Sequence, residues 1–381
     1  MNVNRPRPTA RACGAAFPCR AALSRAILLL VSLFLLGGCA TYHRRGLPAQ
    51  QAGEVERALL TRNHVLLGEC DDRILTLDPE QVTDREVRET LAHAPAPRII
   101  NIHGGVAPVQ LRMVSFSEFL VGMGYPRASL TNPVDGTYAF SCYESSAKIA
   151  GFIAWYYEKE GLRPLIVGHS QGGFQVVKIL HLLAADSGQR LAVWNPLTWT
   201  AEGRFAITDP LTGQLRPVVG LQLPYATAVG AGGVTRLLPN QWDMLTRLRK
   251  IPDSVEEFAG FFKGTDLLGG DFLGHGPANY YHATGNAVVR NIRLPSWYKH
   301  GAIPDTTHLL RSQAVRDWIN HYRPSRELVS TSELDAQFDS DSTNILWAAD
   351  VWHSIKKHWV LELQRNLRAQ RGLVSVGMQK P

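Results

Sequence analysis

The 381-residue chain is poor in cysteine, with five in all, and three of them (Cys13, Cys19 and Cys39) fall in the first 39 residues. That is too few for a disulfide-stapled scaffold. Its N-terminal apolar run, Ala26 to Leu36, is eleven residues, short of the ~20 that a bilayer-spanning helix needs. The first 38 residues contain no Asp or Glu, yet hold Arg5, Arg7, Arg11, Arg20 and Arg25. Setting these aside reduces the net charge from +7 to +2, so the basicity belongs to the leader and gives no nucleic-acid footprint. No H-E-x-x-H, paired C-x-x-C or dense His/Asp cluster marks a metal site. A P-loop and a helix-opening G-x-G-x-x-G are missing too, so nothing in the sequence calls for a cofactor. No internal repeat is visible, and the 33 Gly and 22 Pro follow no three-residue period. What is present is ordinary globular composition, 45% apolar and 19% charged, at a length that suits one large domain or two modest ones.

The arginine-flanked apolar run has the form of a secretory signal. The residues after it, Leu36-Gly37-Gly38-Cys39-Ala40, resemble a bacterial lipobox. The resemblance implies a signal peptide over 1–38, lipid on Cys39, and a chain held to a membrane in the bacterial cell envelope. Ala40, standing where Asp would retain a lipoprotein at the inner membrane, implies the outer membrane facing the periplasm. A polar tether follows to residue 53, and residues 54–381 are expected to form the folded domain. Cys70 and Cys142 remain there, open to a disulfide or to two free buried thiols.

From Arg98 onward the chain alternates short apolar runs with amphipathic stretches. Ile99 to Ile102 reads as a buried strand, Phe116 to Gly124 as a helix, and Tyr125 to Leu130 as another short strand. Ile149, Phe152, Ile153 and Tyr156 mark a helix closed by Gly161; Pro164 to Val167 is a strand and Gln171 to Asp186 a helix. Leu191 to Trp194 reads as a further strand. The rhythm breaks over about 198–255, which is expected to insert over the C-terminal edge of a mostly parallel α/β sheet. Val288 to Leu294 is a strand, Val315 to Tyr322 a helix, and about 344–371 a long helix with Trp352, Ile355 and Trp359 on one stripe.

The strongest chemical signal is Gly168-His169-Ser170-Gln171-Gly172, set between an apolar strand and an apolar helix. A sharp turn there lifts a serine hydroxyl above the sheet, and glycines let the backbone close. The residues resemble the lipase and esterase branch of the α/β-hydrolase superfamily, over about 97–322. His103-Gly104-Gly105, after the first strand, matches the loop that supplies one oxyanion-hole amide in that branch. The resemblance makes the amides of Gly105 and Gln171 the two donors, with His103 in a structural role.

A serine nucleophile needs a base and an orienting acid. In that fold the base lies between the last core strand and a closing helix, which points to His308; His300 shares the loop but stands further from the helix. His353 and His358 belong to the terminal helix and read as packing or solvated residues. The acid is expected where Phe258 to Lys263 breaks, at Asp266, with Asp271 as the alternate; Asp305 is too near His308 in sequence. The expected activity is hydrolysis of carboxylic esters, with an apolar acyl group as partner and no cofactor. A catalytically silent binding scaffold, or an amidase or acyltransferase on the same triad, would share these residues. Trp199, Trp242 and Trp297 either line an acyl pocket or serve as packing. Oligomeric state is not legible.

Overall fold

Five strands, taken in chain order, line up as one parallel sheet. They are β1 (Ile99–Ile102), β2 (Leu165–His169), β3 (Leu223–Val229), β4 (Val255–Lys263) and β5 (Val288–Leu294), hydrogen-bonded in the spatial order 1-2-3-4-5. The register sets Ile100 beside Ile166, Ala226 beside Phe258 and Phe258 beside Val289. The computed structural model describes residues 46–64, 69–105, 107–184, 190–232, 239–263, 266, 268–270, 279–324 and 343–372. Eight helices are described: α1 (Ala49–His64), α2 (Glu69–Thr76), α3 (Asp84–Glu89), α4 (Ala107–Gly122), α5 (Ser146–Glu160), α6 (Gln171–Leu183), α7 (Gln313–His321) and α8 (Ile345–Gln370).

Strand side chains alternate between faces, and the alternation divides the core in two. Ile99, Leu165, Val167, Tyr225 and Phe261 pack with Phe116 and Phe119 of α4 and Trp347 and Trp352 of α8. Ile100, Ile102, Ile166, Ala226 and Phe258 pack with Phe152 and Trp155 of α5 and Phe174 and Leu180 of α6. Each fully buried large side chain contributes ~1.5–3 kcal/mol of transfer free energy, so a sheet covered on both faces needs strands apolar at every position. β1, β2 and β3 are buried at every position and largely apolar without strict alternation, whereas β5, at the edge, carries Arg290, Asn291 and Arg293 and is only partly buried.

Helix α8 contains no Gly or Pro over 26 residues, and its Trp352, Ile355 and Trp359 are fully buried. Two of its buried indoles have their N–H groups satisfied: Trp352 donates to Asn320 of α7 at 3.0 Å and Trp359 to the Pro95 carbonyl at 2.8 Å. At its N-terminus Asn344 adopts a left-handed conformation and donates to the carbonyls of Ala302 and Asp305. The long helix is thereby tied to the loop that follows β5.

Four expectations change. Tyr125 to Leu130 is not a strand: Arg127–Ser129 forms a 3-10 turn after Pro126, and the extended contact at this edge comes from Phe140, bridged in parallel to Ile102. Leu191 to Trp194 contributes no strand to the main sheet; Trp194–Asn195 pairs antiparallel with Thr200–Ala201. Residues 198–255 are not wholly an insertion, because they hold β3, the middle strand. Its seven residues are all buried, and Pro224 with several small residues hid it from a reading by hydrophobic pattern. The tether expected up to residue 53 gives way to α1 from Ala49. Cys142 is a free, buried thiol, so no bridge to Cys70 forms. Among the described residues no helix is long and apolar enough to cross a membrane. The signal segment 1–38 and Cys39 lie outside the described residues.

Candidate active site

Every functional side chain stands just past the C-terminal end of a parallel strand. The crevice of an open α/β sheet lies at this edge. Ser170 follows β2 directly and opens α6. Its backbone is strained, at φ 55° and ψ −120°, a conformation that costs a non-glycine residue about 1–3 kcal/mol. Surroundings that hold it are visible: the Ser170 N–H donates to the Val229 carbonyl at 2.8 Å. The flanking glycines are obligatory here. A Cβ on Gly168 would stand 2.4 Å from the Gly172 carbonyl oxygen, and one on Gly172 would stand 2.2 Å from that of Ile102. The turn therefore projects the hydroxyl at the N-terminus of α6, where the helix dipole favours negative charge.

The imidazole that meets this hydroxyl is that of His300. Its Nε2 lies 2.9 Å from Ser170 Oγ, and its Nδ1 lies 2.6 Å from Asp266 Oδ2. A carboxylate at Nδ1 fixes the tautomer that leaves Nε2 free to accept the serine proton. Asp266 itself is held by the amides of Leu268 and Gly269, at 3.0 and 2.9 Å on Oδ1. Burial pushes the Asp266 carboxyl up, but the His300 ring and these amides outweigh it, and the group titrates below the usual carboxylate range. The ring fits closely: a Cβ on Gly269 would stand 2.6 Å from His300 Cε1.

His308, the histidine expected beside Ser170, is bonded elsewhere. It sits in the 3-10 turn Thr307–Leu310 and its Nε2 donates to the Thr343 carbonyl at 2.9 Å, just ahead of α8. The loop after β5 folds into two short turns, His300–Ala302 and Thr307–Leu310. Only the first stays beside the strand end. The signal that would have found His300 was distance from β5 rather than closeness to α7. Asp266 stands where expected, at the break after β4, and Asp271 lies outside the described residues.

Gly105 and Gln171 frame the space beside Ser170. The Gln171 amide is the first of α6, and neither it nor the Gly105 amide has a hydrogen-bond partner among the described residues. The Gly105 carbonyl accepts from Tyr143 Oη at 2.7 Å, which orients that peptide loop. The amides of Gly105 and Gln171 are the candidate donors for a developing oxyanion. Of the three tryptophans considered for a pocket, Trp199 packs against Phe152 and Phe140, with ring centroids at 4.7 and 6.3 Å. Trp242 and Trp297 are largely exposed. Among the described residues no group of His, Cys, Asp or Glu is placed to hold a metal ion.

Compared with protein-family models, with curated proteins and with solved structures, the chain shows no match.

Proposed function

We propose that the chain is a serine hydrolase of the α/β-hydrolase type, lipase- or esterase-like, tethered to the bacterial envelope through lipid on Cys39 and cleaving carboxylic esters. The observation that carries the reading is His300, which reaches Ser170 with one ring nitrogen and Asp266 with the other. The parallel sheet, with Ser170 on the sharp turn from β2 into α6, supports the fold assignment.

In this reading Ser170 Oγ attacks the ester carbonyl carbon as its proton passes to His300 Nε2. The carbonyl oxygen becomes negative and is received by the amides of Gly105 and Gln171. Asp266 stabilises the imidazolium without taking its proton. His300 then protonates the departing alkoxide, leaving an acyl group on Ser170. Water, deprotonated by the same ring, attacks the acyl carbon, and proton return to the serine oxygen releases the carboxylic acid.

Labelling with a fluorophosphonate probe tests the assignment. The wild-type chain labels and Ser170→Ala does not; equal behaviour of the two removes Ser170 from the mechanism. Hydrolysis across p-nitrophenyl esters of increasing chain length then ranks the acyl group, long chains favouring a lipase and short chains an esterase.

A further inference from the structure

His169, the residue between Gly168 and Ser170, has no role in the proton transfers above, yet it contacts both His300 and the Gly104 loop. Its parity along β2 matches Leu165 and Val167, which places the imidazole on the α4/α8 face among apolar neighbours. It is fully buried. Its Nε2 donates to the backbone carbonyl of His300 at 2.8 Å, and the two rings lie 5.1 Å apart. A carbonyl only accepts, so the proton of the neutral ring resides on Nε2. Nδ1 is left as a bare lone pair without a partner, facing Gly104, where a Cβ would stand 3.1 Å away. The same absent Cβ would stand 3.1 Å from the Ser170 Cβ.

We infer that His169 is a positioning residue: its Nε2–H···O bond pins the His300 backbone to the nucleophile turn and so fixes the distance from the base to Ser170 Oγ. The inference rests on the serine-hydrolase reading. Asp266 fixes which way the His300 ring faces, whereas nothing in that contact fixes how far the ring stands from β2. The His169 bond does, because one end belongs to the residue adjoining Ser170 and the other to His300 itself. Charge on His169 would oppose charge on the catalytic ring, and its surroundings prevent it. Burial, with His300 and Arg112 nearby, lowers its titration to about 3 despite the pull of the His300 carbonyl and of Asp266. The anchor therefore stays neutral while the base beside it cycles through its charged form.

The test compares three substitutions by p-nitrophenyl butyrate kinetics, fluorophosphonate labelling rate and thermal melting. Glutamine carries an amide nitrogen near the place of imidazole Nε2, leucine removes the donor, and asparagine keeps a polar amide too short to reach the carbonyl. Displacement of a catalytic group by ~1 Å costs on the order of 100-fold in rate. The expected result is a kcat and labelling rate within about threefold of wild type for His169→Gln, and losses of about 100-fold for His169→Leu and His169→Asn, with KM little changed. A leucine variant that does not fold leaves the same contrast between glutamine and asparagine. The inference is overturned if asparagine or leucine turns over like wild type, or if glutamine falls as far as they do. A wild-type chain that neither labels nor hydrolyses the ester would instead overturn the serine-hydrolase reading, a result seen without any His169 variant.

Discussion

Two histidine–carboxylate pairs, one at the strand ends and one under the C-terminal helix, differ in what surrounds them. His300 and Asp266 meet at the strand ends. His358 of α8 meets Glu257 inside the body of the fold, Nε2 to Oε2 at 3.2 Å. The partners of the acid differ. Glu257 also receives Arg290 at 2.9 Å and Lys357 at 3.0 Å, and Arg290 is held in turn by Asp350. Asp266 receives the His300 ring and two backbone amides. The far side of the ring differs as well. His358 Nδ1 has no partner and the ring stacks on Tyr225, whereas His300 Nε2 reaches a hydroxyl. A buried His–acid pair is thus not in itself a catalytic signature. What separates the two is a third group at the second nitrogen and an acid not already neutralised by permanent cations.

The largest expected effect breaks the comparison at the active pair. Loss of the base in a triad costs on the order of 10⁶ in kcat, and loss of the acid's charge on the order of 10⁴. Accordingly His300→Ala should abolish ester turnover, and Asp266→Asn should leave a residual rate on the order of 10⁴ below wild type, with substrate binding retained. His358→Ala should leave kcat untouched. Steady-state kinetics on the three variants decide it. Full activity in His300→Ala, or its loss in His358→Ala, would reverse the assignment of the two pairs.

The same contrast explains what was legible in the sequence. Strand–turn–helix alternation revealed β1, β2, β5, α6 and the Trp352/Trp359 stripe of α8; all but the partly exposed edge strand β5 bury their apolar pattern locally. Ser170 was legible because the elbow is a local device, with nucleophile and glycines within five residues. Asp266 was legible because a strand visibly breaks ahead of it. β3 was not, since Leu223 to Val229 owes its strand state to parallel neighbours on both sides rather than to its own pattern. The choice between His300 and His308 depends on how a loop coils, and neither residue's neighbours in sequence record that.

A middle-sized effect belongs to the structural pair. Burial pushes the Glu257 carboxyl up, but His358, Arg290 and Lys357 outweigh it and hold the group well below the usual range. Removing one partner of such a buried network costs about 3–5 kcal/mol. Glu257→Gln should therefore lower unfolding free energy by about that amount at pH 7 while leaving kcat unchanged. A depressed carboxylate adds stability above its unfolded value of about 4.3, and that contribution fades as pH falls through the lower folded-state value. The gap between wild type and Glu257→Gln should accordingly be full at pH 7 and narrow progressively below about pH 4. Urea titrations at descending pH measure it. A gap that widens with acid would show that Glu257 is not the charged partner of His358.

The smallest expected effect sharpens the distinction between the two histidines of one loop. His308 spends its Nε2–H on the Thr343 carbonyl, a single partly buried hydrogen bond between the Thr307–Leu310 turn and the residue before Asn344. Such a bond contributes about 0.5–1.5 kcal/mol net. His308→Asn should therefore lower the melting temperature by only a few degrees, at about 2–4 °C per kcal/mol for a chain of this order of size. Asn344 keeps its own ties to Ala302 and Asp305, so the His300 turn stays in place and kcat should match wild type. The measurement is kcat and thermal melting of His308→Asn beside His300→Ala. If His308→Asn loses turnover with its fold intact while His300→Ala retains it, proximity to α7 rather than to β5 selects the base.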